Sequence, residues 1–353
     1  MRRNAKKDMK KYKVGIVGLG AVGVEMLKSL RERDFPVEEI RVFARSERDE
    51  IINGEKVHVV PAAVEAFRGL DFAFFAGTEG EKGASRQFGW QVVEQGVIVI
   101  DNGDDYRMDS RVPLVIPEIN SHVLQKHQGF VSNPNCSTII TLMALAPLHR
   151  VARIRRFIAS TYQAVSGTGR EAVLELGDQL KCHAENKPLR HDIYPYQIAL
   201  NVIPKIGALK PDMPGYTSEE IKLRNESRKI LEDKRLRVCA TCVRVPVVNG
   251  HSVAINVEFD RPMDPDEART VLSKAPGVKV MDNVDNDLYP MPLQVSGQDD
   301  VFVGRIRIDE SVKNGLALFA SGDNLRKGAA TNAVQIAEKL VTGRNKIPRG
   351  RAV

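Results

Sequence analysis

The chain has 353 residues, 42% hydrophobic and 27% charged, a length that carries two domains with cores of their own. The net charge is +7, but residues 1–13 carry +6 and residues 344–353 carry +4, which leaves −3 on everything between. A mildly acidic body with two basic tails is not a nucleic-acid footprint, and neither a membrane-spanning run nor a signal peptide is read, so no nucleic-acid and no membrane partner is expected and the cytoplasm is the expected compartment.

Residues 13–17 (KVGIV) read as a short buried strand, then Gly18-Leu-Gly-Ala-Val-Gly23, then a helix to about Arg33. Gly18, Gly20 and Gly23 let the backbone approach a pyrophosphate. The helix start at Ala21 and Val22 supplies free N–H groups and the positive end of the dipole. The plain alternative is a tight turn without a ligand. Residues 40–44 (IRVFA) read as a second strand, ending in Ala44-Arg45-Ser46. An acidic residue there suits NAD. A guanidinium and a hydroxyl suit a 2′-phosphate, so Arg45 and Ser46 favour NADP over NAD. Glu47 pulls the other way, and a solvated surface charge competes for Arg45. Residues 71–76 and 97–101 read as further strands. Strands alternating with helices argue for a parallel sheet covered on both faces.

After Cys136 the pattern changes. Helices at 137–149 and roughly 168–181 mix with strands at 237–247, 251–259 and 301–308, an α+β arrangement. Residues 183–217, rich in Pro and Asn, read as an ordered irregular excursion. The last helix, about 327–342, carries Ala330, Ala333, Val334, Ala337, Leu340 and Val341 on one face. Of the four cysteines, Cys239 and Cys242 share a C-x-x-C spacing, but VCATCVRVPV alternates like a strand and turns the two thiols to opposite faces. Neither zinc nor a structural disulfide is expected there.

Cys136 stands in SNPNCSTII, where turn formers meet a long apolar helix. Peptide dipoles and unpaired N–H groups at a helix start favour the thiolate. A pKa about two units below the usual ~8.5 would make the thiol mostly anionic. Asn133, Asn135, Ser137 and Thr138 could orient a bound carbonyl. A merely buried helix-start cysteine stands level with this reading on the residues alone. A nucleotide-binding half leading into a nucleophilic thiol suggests hydride chemistry on a thioacyl group.

Seven ordered motifs now carry a resemblance to the aspartate-semialdehyde dehydrogenase family over nearly all of residues 13–343. They are DNGDDYR (101–107), VPLVIPEIN (112–120), SNPNCST (132–138), TYQAVSGTGR (161–170), EEIK (219–222), CVRVPVVNGHS (242–252) and DNLRKGAATNAVQIAE (323–338). The resemblance implies Cys136 as nucleophile, His251 as general acid/base and Gln163 as the side chain that orients the thioacyl group or the histidine. It implies Arg244 as carboxylate clamp, where a bidentate guanidinium is needed, and Glu219 as partner of an α-ammonium. Arg107 and Lys222 would bind phosphate, with Asn135 assisting. Gly77, Ser166, Gly167, Asp323 and Asn324 would join the glycine turn in contacting the cofactor. A plain surface salt bridge is the alternative for Glu219 and Lys222.

The implied activity is NADPH-dependent reductive dephosphorylation of L-aspartyl-4-phosphate to L-aspartate 4-semialdehyde, with inorganic phosphate as co-substrate of the reverse direction. The alternatives are a related acyl-phosphate or acyl-CoA reductase and a non-catalytic nucleotide-binding paralogue. The implied fold class is α/β. A Rossmann-like parallel-sheet domain spans 1–132 and is completed by 327–353, with a C-terminal helix returning to it. An α+β catalytic and dimerisation domain spans 133–326, the site is expected between the two, and the assembly is expected to be a homodimer or homotetramer. Two features depart from the family pattern. GLGAVG is shorter than its usual G-x-T-G-x-x-G loop, and acidic Asp104 and Asp105 sit near Arg107 where the family more often has small neutral residues; they are expected to face away from an anion.

Overall fold

The computed structural model describes residues 10–52, 54–76 and 83–343. The chain divides into two compact units. One lies within Met1–Pro117, Ser121–Asn133 and Ala330–Val353, the other within Glu118–Asn120 and Pro134–Ala329.

In the first unit β1 (Tyr12–Val17) runs into helix α1 (Ala21–Glu32) and back into β2 (Val37–Ala44). There follow β3 (Arg48–Ile52), β4 (Glu55–Pro61), β5 (Phe72–Phe75), β6 (Ile98–Asp101) and β7 (Phe130–Ser132). They form one seven-stranded sheet in the order β3-β4-β2-β1-β5-β6-β7. Every neighbouring pair is parallel except β3 with β4. Strands β5 and β6 are buried at every residue, as expected of parallel strands covered on both faces. The expected alternation breaks once. After β2 the chain makes the β3–β4 antiparallel hairpin, where Ile51 and Ile52 face Lys56 and Glu55 across the strands.

The closing helix, Thr331–Thr342, belongs to this unit. Ala330, Ala333, Val334, Ala337 and Leu340 are all buried in the core that also contains Met26, Leu27 and Leu30 of α1. The Arg33 guanidinium donates two 2.8 Å bonds to the Glu338 carboxylate, a bidentate pair. The predicted stripe is therefore the buried face. The helix starts at Thr331 rather than 327, because residues 326–330 wind in a wider π-type turn.

In the second unit α2 (Cys136–Val151) leads to β8 (Ile154–Gln163), α3 (Arg170–Ala184) and α4 (Ser218–Ile230). The strands that follow are β9 (Arg237–Arg244), β10 (His251–Phe259), β11 (Val278–Val280), β12 (Val301–Asp309) and β13 (Gly315–Gly322). Six strands form a mixed sheet in the order β11-β12-β13-β10-β8-β9. Cys239 is exposed and Cys242 buried, on opposite faces of β9 as the alternation predicts. Helix α2 is buried from Ser137 to Ala146 and again at Leu148. It sits close to the sheet at Gly322, where an added Cβ would come within 3.0 Å of Ile140. Among the described residues no helix is long and apolar enough to cross a membrane.

Candidate active site

The start of α2 is built by Asn135. It is the N-cap residue, and its side-chain oxygen accepts from the N–H of Ser137 at 2.9 Å and of Thr138 at 3.2 Å. Cys136 is therefore the first helical residue, half-buried. Gly328 passes so near that a Cβ there would meet the Cys136 Cβ at 3.1 Å.

Sheet register then brings distant residues to one edge. Gln163, the last residue of β8, is paired with Arg244, the last of β9. His251 opens β10 opposite Gly322, the last of β13, and the next residue, Ser252, faces Tyr162. The ends of four adjacent strands thus lie side by side.

Hydrogen bonds join this edge to the cap of α2. Glu219 Oε1 accepts from Asn135 Nδ2 at 2.8 Å and from Gln163 Nε2 at 3.1 Å. Gln163 Oε1 accepts from the Thr161 hydroxyl, which fixes the amide at both ends. The next residue, Ala164, donates its N–H to His251 Nδ1 at 3.1 Å and accepts from Arg244 Nη1 at 2.6 Å. Beneath these lies Gly167. A Cβ there would stand 3.1 Å from His251 Cε1 and Nε2 and 3.2 Å from Arg244 Nη1.

His251 is wholly buried, and its pKa is pushed well below the ordinary value, first by burial and then by the Arg244 charge. The ring is neutral near pH 7. Because Nδ1 accepts an amide hydrogen, the proton sits on Nε2, which finds no partner among the described residues. Burial raises the Cys242 thiol, with Glu219 adding to the effect and Cys136 among its electrostatic neighbours. Cys242 is thus a protonated core residue with Glu219 and Cys136 as neighbours.

Arg244 is 5% exposed, and its Nε is buried without a partner. One terminal nitrogen is spent on Ala164. The edge formed by Nε and Nη2 is the one that takes a carboxylate side-on. Arg244 also lines an open cavity of ≈ 920 Å³ with Gly167, Thr168, Tyr194, Tyr196 and Lys205.

Lys222 is half-buried one helical turn from Glu219 on α4. The Ser166 hydroxyl bonds to both Asn249 and Asn324, and Asn324 Oδ1 also accepts the Gly250 N–H at 2.9 Å. Asp323 spends both oxygens nearby. One accepts from the N–H of Leu325 and Arg326, the other from Gly297 N–H and Asn249 Nδ2. Its carboxylate orders the loop after β13. Asn249 and the backbone of Ala164 are participants that sequence reasoning missed. Asn249 lies inside the quoted VVNGHS, but nothing in its spacing marks it.

In the first unit Arg107 is buried and donates Nε to Asn133 O at 3.0 Å and Nη2 to Asn102 O at 2.6 Å. The Asp105 carboxylate is held by the Ser85 hydroxyl and lies 3.7 Å from Arg86. Burial pushes the Asp101 carboxyl up to about 6, against the opposing pull of the Gly103 N–H and the Arg107 charge.

The glycine turn fits a dinucleotide. Gly18 has φ +95°, and a Cβ on Gly23 would collide with the Gly18 carbonyl. Space at Gly20 is open, and the first turn of α1, at Ala21 and Val22, carries no acid. Arg45 and Ser46 are exposed just past β2, while Glu47 lies 3.4 Å from His58. Gly77 lies outside the described residues.

Two family models define the class. "Semialdehyde dehydrogenase, NAD binding domain" matches residues 13–127, and "Semialdehyde dehydrogenase, dimerisation domain" matches residues 145–327. An aspartate-semialdehyde dehydrogenase of Aquifex aeolicus (strain VF5) is 46% identical over 338 residues, 94% of this chain and 98% of that protein. The crystal structure of aspartate semialdehyde dehydrogenase II from Vibrio cholerae is 39% identical with TM-score 0.89, covering 95% of this chain and 100% of that one. The same enzyme complexed with ASA matches at 38% with TM-score 0.89, again covering 95% and 100%. The chain belongs to the aspartate-semialdehyde dehydrogenase family. It is an oxidoreductase of that type, with a nicotinamide cofactor.

Proposed function

We propose that this enzyme reduces L-aspartyl-4-phosphate to L-aspartate 4-semialdehyde, releasing inorganic phosphate, in the biosynthesis of aspartate-derived amino acids. The observation that carries the reading is Arg244. It is a buried guanidinium with its bidentate edge unspent, tied through Ala164, Gln163, Glu219 and Asn135 to the helix that begins at Cys136.

In this reading the α-carboxylate of the substrate takes the Nε–Nη2 edge of Arg244. Its ammonium meets Glu219 through the oxygen not used by Asn135 and Gln163. Lys222 and Arg107 supply positive charge for the phosphate, and Asn135 assists. Because Nε and Nη2 of Arg107 already serve carbonyls of its own unit, its part is mainly electrostatic. Cys136 is held as thiolate by the start of α2. The sulfur attacks the acyl carbon, the carbon–oxygen bond to phosphate breaks, and a thioester on Cys136 results.

Gln163, fixed at both ends of its amide, orients the thioacyl group. His251 in its Nε2–H tautomer donates to the acyl oxygen as negative charge develops there. Collapse of that oxyanion expels the Cys136 thiolate and frees the aldehyde, a sequence that asks the imidazole for no proton. NADPH, when bound, supplies the hydride. Gly18, Gly20 and Gly23 with the first turn of α1 would hold its pyrophosphate, and Arg45 and Ser46 its 2′-phosphate, which favours NADP over NAD. Ser166, Gly167, Asp323 and Asn324 shape the wall beside His251. The expected compartment is the cytoplasm, and the expected assembly is a homodimer or homotetramer; the dimerisation-domain match supports the oligomer.

The test is reduction of NADP by aspartate semialdehyde with and without inorganic phosphate, repeated with NAD and with N-acetylglutamate semialdehyde. Cys136→Ala should abolish turnover. Arg244→Lys should cut kcat/KM at least about 100-fold, because an ammonium cannot supply the paired donors. Turnover near wild type in Cys136→Ala would exclude the mechanism.

A further inference from the structure

Helix α4 places two carboxylates on one residue. Glu219 and Glu226, seven positions apart and so on one helical face, both bond to Asn135. Glu219 takes the side-chain amide. Glu226 Oε2 takes the backbone N–H at 2.8 Å, and the Glu226 residue is 1% exposed. In a capping box the N-cap side chain bonds to the third helical residue, and an acidic or amide side chain at that position returns a bond to the N-cap N–H. The third residue of α2 is Thr138, which has no such group. The reciprocal acceptor comes instead from another helix.

We propose that Glu226 is a positioning residue for the nucleophile: from α4 it completes the cap of α2 and keeps a buried negative charge next to the turn that carries Cys136. Two effects follow. The bond fixes the direction in which the chain enters α2, and with it where the Cys136 sulfur points. The charge opposes the positive end of the α2 dipole, so the thiolate is stabilised less than the helix alone would stabilise it. Other charged or titratable groups lie near the site: Glu219, Glu220 and Lys222 on α4, Cys242 and Arg244 on β9, His251 on β10 and, on the segment of Gly328 that passes Cys136, Lys327 paired with Glu118. The inference rests on Cys136 being the nucleophile.

The test uses the full chain and iodoacetamide, with the Cys136 peptide followed by mass spectrometry across pH and the Cys182 peptide as internal reference. Glu226→Gln keeps an acceptor for the Asn135 N–H and removes the charge. Its alkylation midpoint at Cys136 should fall by about one pH unit, while Cys182 stays put. Glu226→Asp keeps the charge and withdraws the acceptor by one methylene. Its kcat should fall at least about tenfold with KM within about twofold, the alkylation midpoint moving little. A merely structural role would lower thermal stability without moving the Cys136 midpoint. An unmoved midpoint in Glu226→Gln, or wild-type kcat in Glu226→Asp, overturns the proposal. If Glu226→Gln does not fold, Glu226→Asp decides. Alkylation needs no substrate, so failure of the proposed function, seen as activity surviving in Cys136→Ala, is read separately.

Discussion

Gly167 shows how tightly single residues are fitted at the site. It lies beneath both the imidazole of His251 and the guanidinium of Arg244, and a methyl group added there meets both at little more than 3 Å. Each of those side chains is buried and held by Ala164, so neither can give way freely. Gly167→Ala should lower kcat/KM by about 100-fold with little change in melting temperature, measured by steady-state kinetics beside calorimetry. Near-normal kinetics would mean that the two side chains are less constrained than their contacts imply. The sequence marked Gly167 only through a family motif. The requirement comes from two side chains 77 and 84 positions further along the chain, and no local spacing could announce it.

At the scale of elements, legibility followed locality. The glycine turn was readable because Gly18 and Gly23 answer demands set within six residues, a left-handed φ and a carbonyl in the way. The closing helix was readable because its period alone selects the buried face. The β3–β4 hairpin was not read, because charged Arg48, Asp49, Glu50, Glu55 and Lys56 leave little apolar alternation on an exposed ribbon. Cys136 was recognised as a helix start from its turn formers, while Glu226 was invisible because its partner is the backbone of another element. Asn135→Ala removes the acceptor for Ser137 and Thr138, and by cap energetics should cost ~1 kcal/mol of stability. The same change frees Glu219 from one partner, so activity should fall by more than the stability loss would suggest. Urea denaturation and kinetics on one preparation compare the two losses, and parallel losses would argue that the cap is only structural.

For the molecule as a whole, buried ionisable groups set the response to acid, and they act in opposite directions. His127, His149 and His251 all have pKa values lowered by burial from 6.5. Below that pH the unfolded chain binds protons that the folded chain refuses, so stability falls as pH falls through about 6.5. Asp101 works the other way. With its folded value at about 6 and its ordinary value 3.8, the folded chain holds a proton between those limits that the unfolded chain releases. Its contribution to stability is therefore lost as pH rises through about 6. Asp101→Asn should raise the melting temperature at pH 8, with the gain shrinking toward pH 4. Scanning calorimetry at those two pH values checks the sign, and an equal shift at both would show that ionisation is not the cause.

The placement of Gln163, Arg244 and His251 at the ends of adjacent strands has a consequence for how the enzyme fails on heating. Their mutual spacing is written into the backbone ladder of β8, β9 and β10, not into a loop that can fray by itself. Warming should therefore inactivate the protein in one step with loss of the sheet, and amide deuteration along these three strands should lag behind that of the surrounding connections. Tolerance to inserted residues should follow the same line and be nearly absent between Arg244 and His251, where six residues must bring the chain back to the same rim.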